Sequence, residues 1–242
     1  MIEEVRFGSY VISDFYTIVG VLRPPAGRRN DMTDVVGMDG SVLTSTTLSR
    51  CEITVLVALA GMNAEQRRNA IRNLSMMLAS DEPQMLCITS DDGRCYKAIL
   101  DGDVPLRENV RNALLEIRFV TESPAMYGET KSVTVPSGGS AVVFVEGTYG
   151  AYPTIEGTVI GSQSGNLWGV RIDGGDKIRV NTGTTEGRSV VIECAGRRAT
   201  VQGSLVLPTL DSDWLHLSFG RHVIENDVGS GDCTVTWTER WL

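Results

Sequence analysis

The chain of 242 residues is long enough to bury one large all-β core or two cores of ordinary size, and its 26 glycines exceed average usage of about 7%, which points to many tight turns. A formal net charge of −8 argues against non-specific attraction to nucleic acid or to anionic membrane surfaces. The longest apolar run, Ile53 to Ala60, falls far short of the roughly 20 residues that a membrane-spanning helix needs.

The first ten residues, MIEEVRFGSY, carry glutamates where an export signal needs basic residues and then an apolar core. The sequence therefore predicts a protein that remains in the cytoplasm where it is made. Phe15 to Leu22 is rich in aromatic and β-branched residues and reads as a strand, which stops at the basic loop Arg23-Pro24-Pro25-Ala26-Gly27-Arg28-Arg29. A glycine-punctuated turn, Gly37-Met38-Asp39-Gly40, then opens a hydroxyl run from Ser41 to Ser49 that reads as an exposed strand or arm. Ile53, Val55, Val57 and Leu59 alternate with Thr54, Leu56 and Ala58; because the second set is also mostly apolar, this strand is expected to be covered on both faces.

A helix is predicted next. Asn63 is its N-cap, Gln66 stands at capping-box spacing, and Ile71, Leu74 and Leu78 form one apolar stripe ending near Asp81-Glu82-Pro83. A hairpin follows over Met85 to Leu100, then a half-buried strand with Leu115, Ile117 and Phe119 on one face. Folding the hairpin around Asp92-Gly93 sets Cys87 opposite Ala98 and Cys95 opposite Ser90, a stagger that disfavours a disulfide. The five cysteines, Cys51, Cys87, Cys95, Cys194 and Cys233, include no C-x-x-C pair and are expected to be free, buried thiols.

Beyond about Tyr127 to Ser132 the texture changes. Short strands separated by glycine-rich turns run from Ser140 to the clean alternation of Val235, Trp237, Glu239 and Trp241, which predicts a β-sandwich or barrel. The expected fold is mainly β with one helix, divided into residues 1–130, a β-sandwich carrying the helix, and residues 131–242, a second β-sandwich.

Chemical signatures are sparse. His216 and His222, with Asp213, lie on period-2 strands that do not converge three metal ligands. G-x-S-x-G is absent, although a triad assembled from distant residues leaves no local trace. The glycines of Gly161 to Gly169 are not followed by G-K-[ST] or a helix. The carboxylate pairs Glu3-Glu4, Asp91-Asp92 and Asp211/Asp213 read as solvated turn residues rather than glycosidase acids, and the sequon at Asn73 falls inside the predicted helix. No catalytic, cofactor or metal site is expected. Trp168 and Trp214 are candidates for stacking on sugar rings, against the alternative that these tryptophans are core.

The ordered set of Gly37, Asp39-Gly40, Leu43, CEITV (Cys51 to Val55), Leu74 and Leu78, YKAILDG (Tyr96 to Gly102), Phe119 and SPAMYG (Ser123 to Gly128) resembles the distal tail proteins of long, flexible-tailed bacteriophages and related prophages. YPTIEG (Tyr152 to Gly157), SDWLHLSFGRHVI (Ser212 to Ile224) and the terminal RWL extend the resemblance over nearly the whole chain. Cys51 after Arg50, Ser123 before the proline and His222 in place of a common asparagine depart from the family's habit without altering the layout.

The resemblance implies a non-enzymatic assembly protein. Its first domain would form a hexameric ring at the end of the tail tube, and its second, galectin-like domain would project outward. The ring would join the tube protein to the tail-associated tip protein and leave a channel through which DNA passes without specific binding, at the virion tail tip after assembly in the bacterial cytoplasm. Arg23, Arg28 and Arg29, with Ser41, Thr44 and Thr46, are the expected ring or partner contacts, because guanidinium forks suit carboxylates and sheet edges suit strands. A carbohydrate-binding adhesion module is the alternative.

Overall fold

The computed structural model describes residues 3–59, 62–108, 113–160, 166–183, 187–228 and 231–242. The chain divides into two compact units, one running to Tyr127 and including Leu242, the other Gly128–Trp241. The loop at Gly161 to Gly169 lies partly outside the described residues.

The first unit begins with β1 (Val5–Phe7), β2 (Tyr10–Val11) and β3 (Thr17–Leu22). An excursion of β4 (Arg28–Asp34) and β5 (Ser41–Leu48) precedes β6 (Glu52–Ala58), helix α1 (Ala64–Leu78), β7 (Gln84–Ile88), β8 (Cys95–Leu100), β9 (Leu106–Glu108) and β10 (Ala113–Thr121). The antiparallel order is β2-β1-β7-β8-β10-β6-β3, with β9 also on β10 and β3 at the open edge. Register explains the core: Ile117 faces Val55, Leu115 faces Val57 and Phe119 faces Ile53, so three apolar pairs stack on one face. All six are buried, each contributing roughly 1.5–3 kcal/mol relative to exposure.

Helix α1 seals that core with Ala70, Leu74 and Leu78. Asn63 and Gln66 form the expected reciprocal capping box, each side chain accepting from the other's backbone N–H at 2.9 Å. The expectation of a doubly covered β6 needs correction. Ile53, Val55 and Val57 are buried, whereas Thr54, Leu56 and Ala58 are only half-buried, because the helix packs on one side.

The cysteine expectation is also overturned. Cys87 and Cys95 are direct cross-strand partners and form a disulfide, while Cys51, Cys194 and Cys233 are free and buried. The reason is the turn. Thr89–Asp91 form a 3-10 turn and Asp92 and Gly93 both take left-handed backbone, so the connection is longer than a two-residue hairpin and shifts the register.

The second unit comprises β11 (Met126–Val135), β12 (Ser140–Val145), β13 (Thr154–Thr158), β14 (Leu167–Ile172), β15 (Lys177–Asn181), β16 (Ser189–Glu193), β17 (Arg198–Val201), β18 (Ser204–Val206), β19 (Gly220–Val228) and β20 (Cys233–Trp241). They pair as β18-β17-β16-β13-β20-β11 and β12-β19-β14-β15, two antiparallel sheets enclosing one apolar core. Cys233, Val235, Trp237 and Glu239 of β20 point inward in strict alternation. Gly157 of β13 makes room for Trp168: a Cβ there would lie 2.5 Å from the indole ring. The molecule is thus mainly β, and α1 is the one α-helix among the described residues.

Candidate assembly surface

The most exposed secondary structure of the first unit is the β4–β5 hairpin. Every residue of β4 is exposed, as is every residue of β5 but Leu48, and among the described residues the two strands pair only with each other. An isolated two-stranded ribbon is marginal in water, so local side-chain pairing matters. Here the hydroxyl run supplies it: Ser41 donates to Asp34 at 2.5 Å, Ser45 to Asp31 at 2.8 Å and Thr46 to Asn30 at 3.0 Å, and Thr33 and Thr44 share a 3.0 Å bond. Cross-strand pairs of this kind contribute roughly 0.2–1 kcal/mol each. The Ser49 N–H closes the base on the Gly27 carbonyl at 2.8 Å.

At the tip, Val35 to Met38 form a turn closed by the Met38 N–H on the Val35 carbonyl. Gly37 and Gly40 have φ of 83° and 88°, the left-handed region that other residues resist. Val36 is fully exposed, and Val35, Met38, Met32 and Leu43 are also largely open to solvent. Exposed apolar surface on a thin projection makes the arm a candidate contact surface. Preceding the arm in the chain, β3 leaves its second edge unpaired among the described residues, with Val19 and Leu22 exposed and no charge in the strand to guard it.

The residues expected as contacts fall as follows. Arg28 and Arg29 lie in β4, correcting the reading of Arg23 to Arg29 as one loop, because the β4–β5 ladder begins at the Arg28–Leu48 pair. Arg29 makes an exposed 3.5 Å ion pair with Asp31, which adds little to stability. Ser41, Thr44 and Thr46 lie in β5, their hydroxyls used by the cross-strand ladder. Arg23 is the anchor at the arm's base: its guanidinium pairs with Asp91 and donates to Ser90 at 3.1 Å, and Ser90 donates to Glu3 at 2.6 Å. Asp91 and Ser90 belong to the turn that the Cys87–Cys95 disulfide brackets, a link that composition gave no means to find.

The two tryptophans proposed for sugar contact share no exposed face. Trp168 is 0% exposed in the sandwich core, which corrects its candidacy for stacking, and Trp214 is half-buried against the same core. Exposed aromatic surface in this unit comes instead from Phe144 and Phe219, packed edge-on with centroids 6.0 Å apart, and from Tyr152. His222 is buried between Asp173 Oδ2 at 2.7 Å and the Ser218 carbonyl at 2.8 Å, and His216 is exposed elsewhere. Burial raises the Asp173 pKa, yet the Val223 N–H and His222 together outweigh it and hold the carboxyl below its ordinary value. Among the described residues no group of three or more His, Cys, Asp or Glu is placed to hold a metal ion.

Charge in the second unit is mostly internal to it. Asp227 pairs with Arg171 and Arg179, Asp211 with Lys177 at 2.7 Å, and Lys131 bridges Glu146 and Glu239 at 2.8 and 3.3 Å. The ammonium of Lys177 and the hydroxyl of Thr209 lower the Asp211 pKa to about 2.

Residues 6–121 match the model of the phage tail protein RIFT-related domain, and residues 146–241 that of the siphovirus-type tail component, C-terminal domain. The distal tail protein of Bacillus phage SPP1 is 24% identical over 215 residues, 86% of this chain and 83% of that protein. A two-unit, mainly β chain that carries both domains in this order is a siphovirus-type tail component. It belongs to the siphovirus distal tail protein family. The crystal structure of SPP1 Dit (gp 19.1), described as a paradigm of the hub adsorption apparatus in phages infecting Gram-positive hosts, matches with a TM-score of 0.81 at 16% identity over 100% of both chains. A chain of the phage P2 baseplate in its activated conformation with calcium matches at 0.51 and 11% identity over 98% of each. Those two likenesses concern the fold.

Proposed function

We propose that this protein is a structural, non-enzymatic hub of a siphovirus-type tail tip. It forms a ring, hexameric on the family resemblance, that joins the tail tube protein to the tail-associated tip protein and leaves a channel for DNA. Residues 1–130 are the ring-forming part, and residues 131–242 are a galectin-like sandwich that projects from it. The protein is assembled in the bacterial cytoplasm and resides at the virion tail tip, with no cofactor and no membrane contact.

The observation that carries this reading is the β4–β5 arm. It is an exposed ribbon with an apolar tip, following a strand with an unguarded sheet edge, in a chain of the distal tail family. A surface of donor arm and receptive edge on one chain suits a heterologous contact that closes by rotation. Native mass spectrometry and negative-stain imaging of the full chain test it: six-fold rings are expected, and a species that remains monomeric alone and in the presence of tube and tip proteins would refute it.

The carbohydrate-binding alternative has less support. Of its two candidates Trp168 is buried, and stacking would fall to Trp214 or to the Phe144–Phe219 pair. Glycan-array binding lost on Trp214→Ala would revive it.

A further inference from the structure

At the base of the arm lies a pocket of about 520 Å³ lined by Arg23, Pro25, Arg28, Leu48, Tyr96 and Pro124 among others. Its size is that of a binding cleft, roughly 300–1,000 Å³. Its wall is apolar and its rim is basic. Arg23 is spent on Asp91 and Ser90, but Arg28 is exposed and has no ion pair among the described residues.

The arm's tip has the matching chemistry. Val36 is fully exposed and Met38 is 56% exposed, and they are flanked by Asp34 and Asp39. A strand of seven residues at about 3.3 Å per residue carries that tip roughly 23 Å from its own base, so it cannot fill the pocket it springs from. Knob and hole are therefore on one chain and out of each other's reach.

We propose that the arm tip of one copy, Asp34 to Asp39, seats in the base pocket of the next copy. Val36 and Met38 then cover Pro25, Leu48, Tyr96 and Pro124, and a tip carboxylate meets Arg28 in a charge-assisted contact. The occupant is a second copy of this chain because the acidic, apolar tip complements the basic, apolar pocket, and head-to-tail repetition of that contact is what closes a ring. The inference rests on the ring reading above and specifies its contact.

The test uses two full-length variants altered only at exposed positions, Val36→Asp (tip) and Arg28→Glu (pocket), with circular dichroism to confirm that both are folded. By native mass spectrometry and sedimentation, each alone is expected to self-associate at least about tenfold more weakly than wild type, as loss of an interface anchor does. Mixed, they are expected to stop at one-to-one dimers, since only the intact tip of the Arg28→Glu chain and the intact pocket of the Val36→Asp chain can join. Asp39→Arg added to Arg28→Glu is expected to restore self-association.

Wild-type rings that persist in both variants overturn the pocket contact and leave the ring reading standing. Two monomeric variants that fail to pair when mixed place the tip on another surface and also overturn it. Variants that keep the ring but lose tube or tip protein assign the pocket to a different partner, with the same consequence. A wild-type chain that never self-associates removes both readings.

Discussion

Glu239 is 2% exposed, yet every direction around its carboxylate is answered. Its Oε2 accepts from the backbone N–H of Glu146 at 3.0 Å and Gly147 at 2.6 Å, its Oε1 accepts from the Trp237 indole at 3.1 Å, and the Lys131 ammonium is 3.3 Å away. Burying a charge is costly unless it is paired in this way, and removing it strands two buried donors, the Gly147 N–H and the Trp237 indole, and the part-buried Glu146 N–H. Glu239→Ala is therefore expected to lower stability by about 3 kcal/mol in urea unfolding followed by tryptophan fluorescence, a loss in the range for breaking a buried pair. A second residue couples the sandwich to pH. The Asp173 carboxyl binds the Val223 N–H and His222, and its pKa is lowered on folding. A carboxyl with a depressed folded pKa contributes stability above its unfolded value near 3.9, and that contribution disappears as pH falls through the folded value. Wild type is expected to exceed Asp173→Asn in stability at pH 7, with the gap closing as pH is lowered below about 4; a gap that is constant with pH would deny the linkage.

Among the elements, the 88–95 turn is the one whose role the residues concealed. Its disulfide closes a short loop, with a sequence separation of 8, for which chain entropy alone gives about 2.5 kcal/mol. That turn also holds Arg23 through Asp91 and Ser90, so loosening it loosens the root of the arm. Replacing Cys87 and Cys95 by serine together is expected to lower stability by about 2 kcal/mol and to speed hydrogen exchange at 88–95 and 23–27, with strands of 128–241 unchanged. Equal exchange in both forms would separate the turn from the arm. Elements whose signal is local were legible in the sequence: the Asn63–Gln66 box requires only a four-residue window, and β20 announces itself by period-2 alternation. Elements that depend on a distant partner were not. β4, Arg28–Asp34, has loop composition and is a strand through its ladder with β5, whose serines also bond its polar side chains. β19 was legible as a strand carrying His222 but not in its full length, because buried His222 and Asn226 interrupt its apolar face. The cysteine register failed for the same reason, since a 3-10 turn and left-handed Asp92 are geometry rather than composition. Of the surface, Ser41 to Ser49 could be recognised as arm-like, but its apolar tip and base pocket emerge only when the hairpin is folded.

On the scale of the whole molecule, a protein proposed to surround passing DNA must not hold it. Twenty-two basic residues against 30 acidic ones leave a net −8, but net charge alone does not prevent a local basic stripe from binding a duplex. The ion pairs make the stronger case. Arg171 and Arg179 are tied to Asp227, Lys177 to Asp211, Lys131 to Glu146 and Glu239, and Arg23 to Asp91, so these five of the 22 cationic side chains are already neutralised by neighbours. Binding a phosphate backbone would require those pairs to open and would release condensed counterions, giving a log–log salt slope of about −0.9 per phosphate neutralised. The assembled protein is expected to show no duplex-DNA complex by fluorescence anisotropy at about 150 mM salt, and only a weak one at low salt. An affinity that survives physiological salt with a slope of several phosphates would mean that basic side chains line a continuous track, and the proposed lumen would then grip the genome instead of letting it slide.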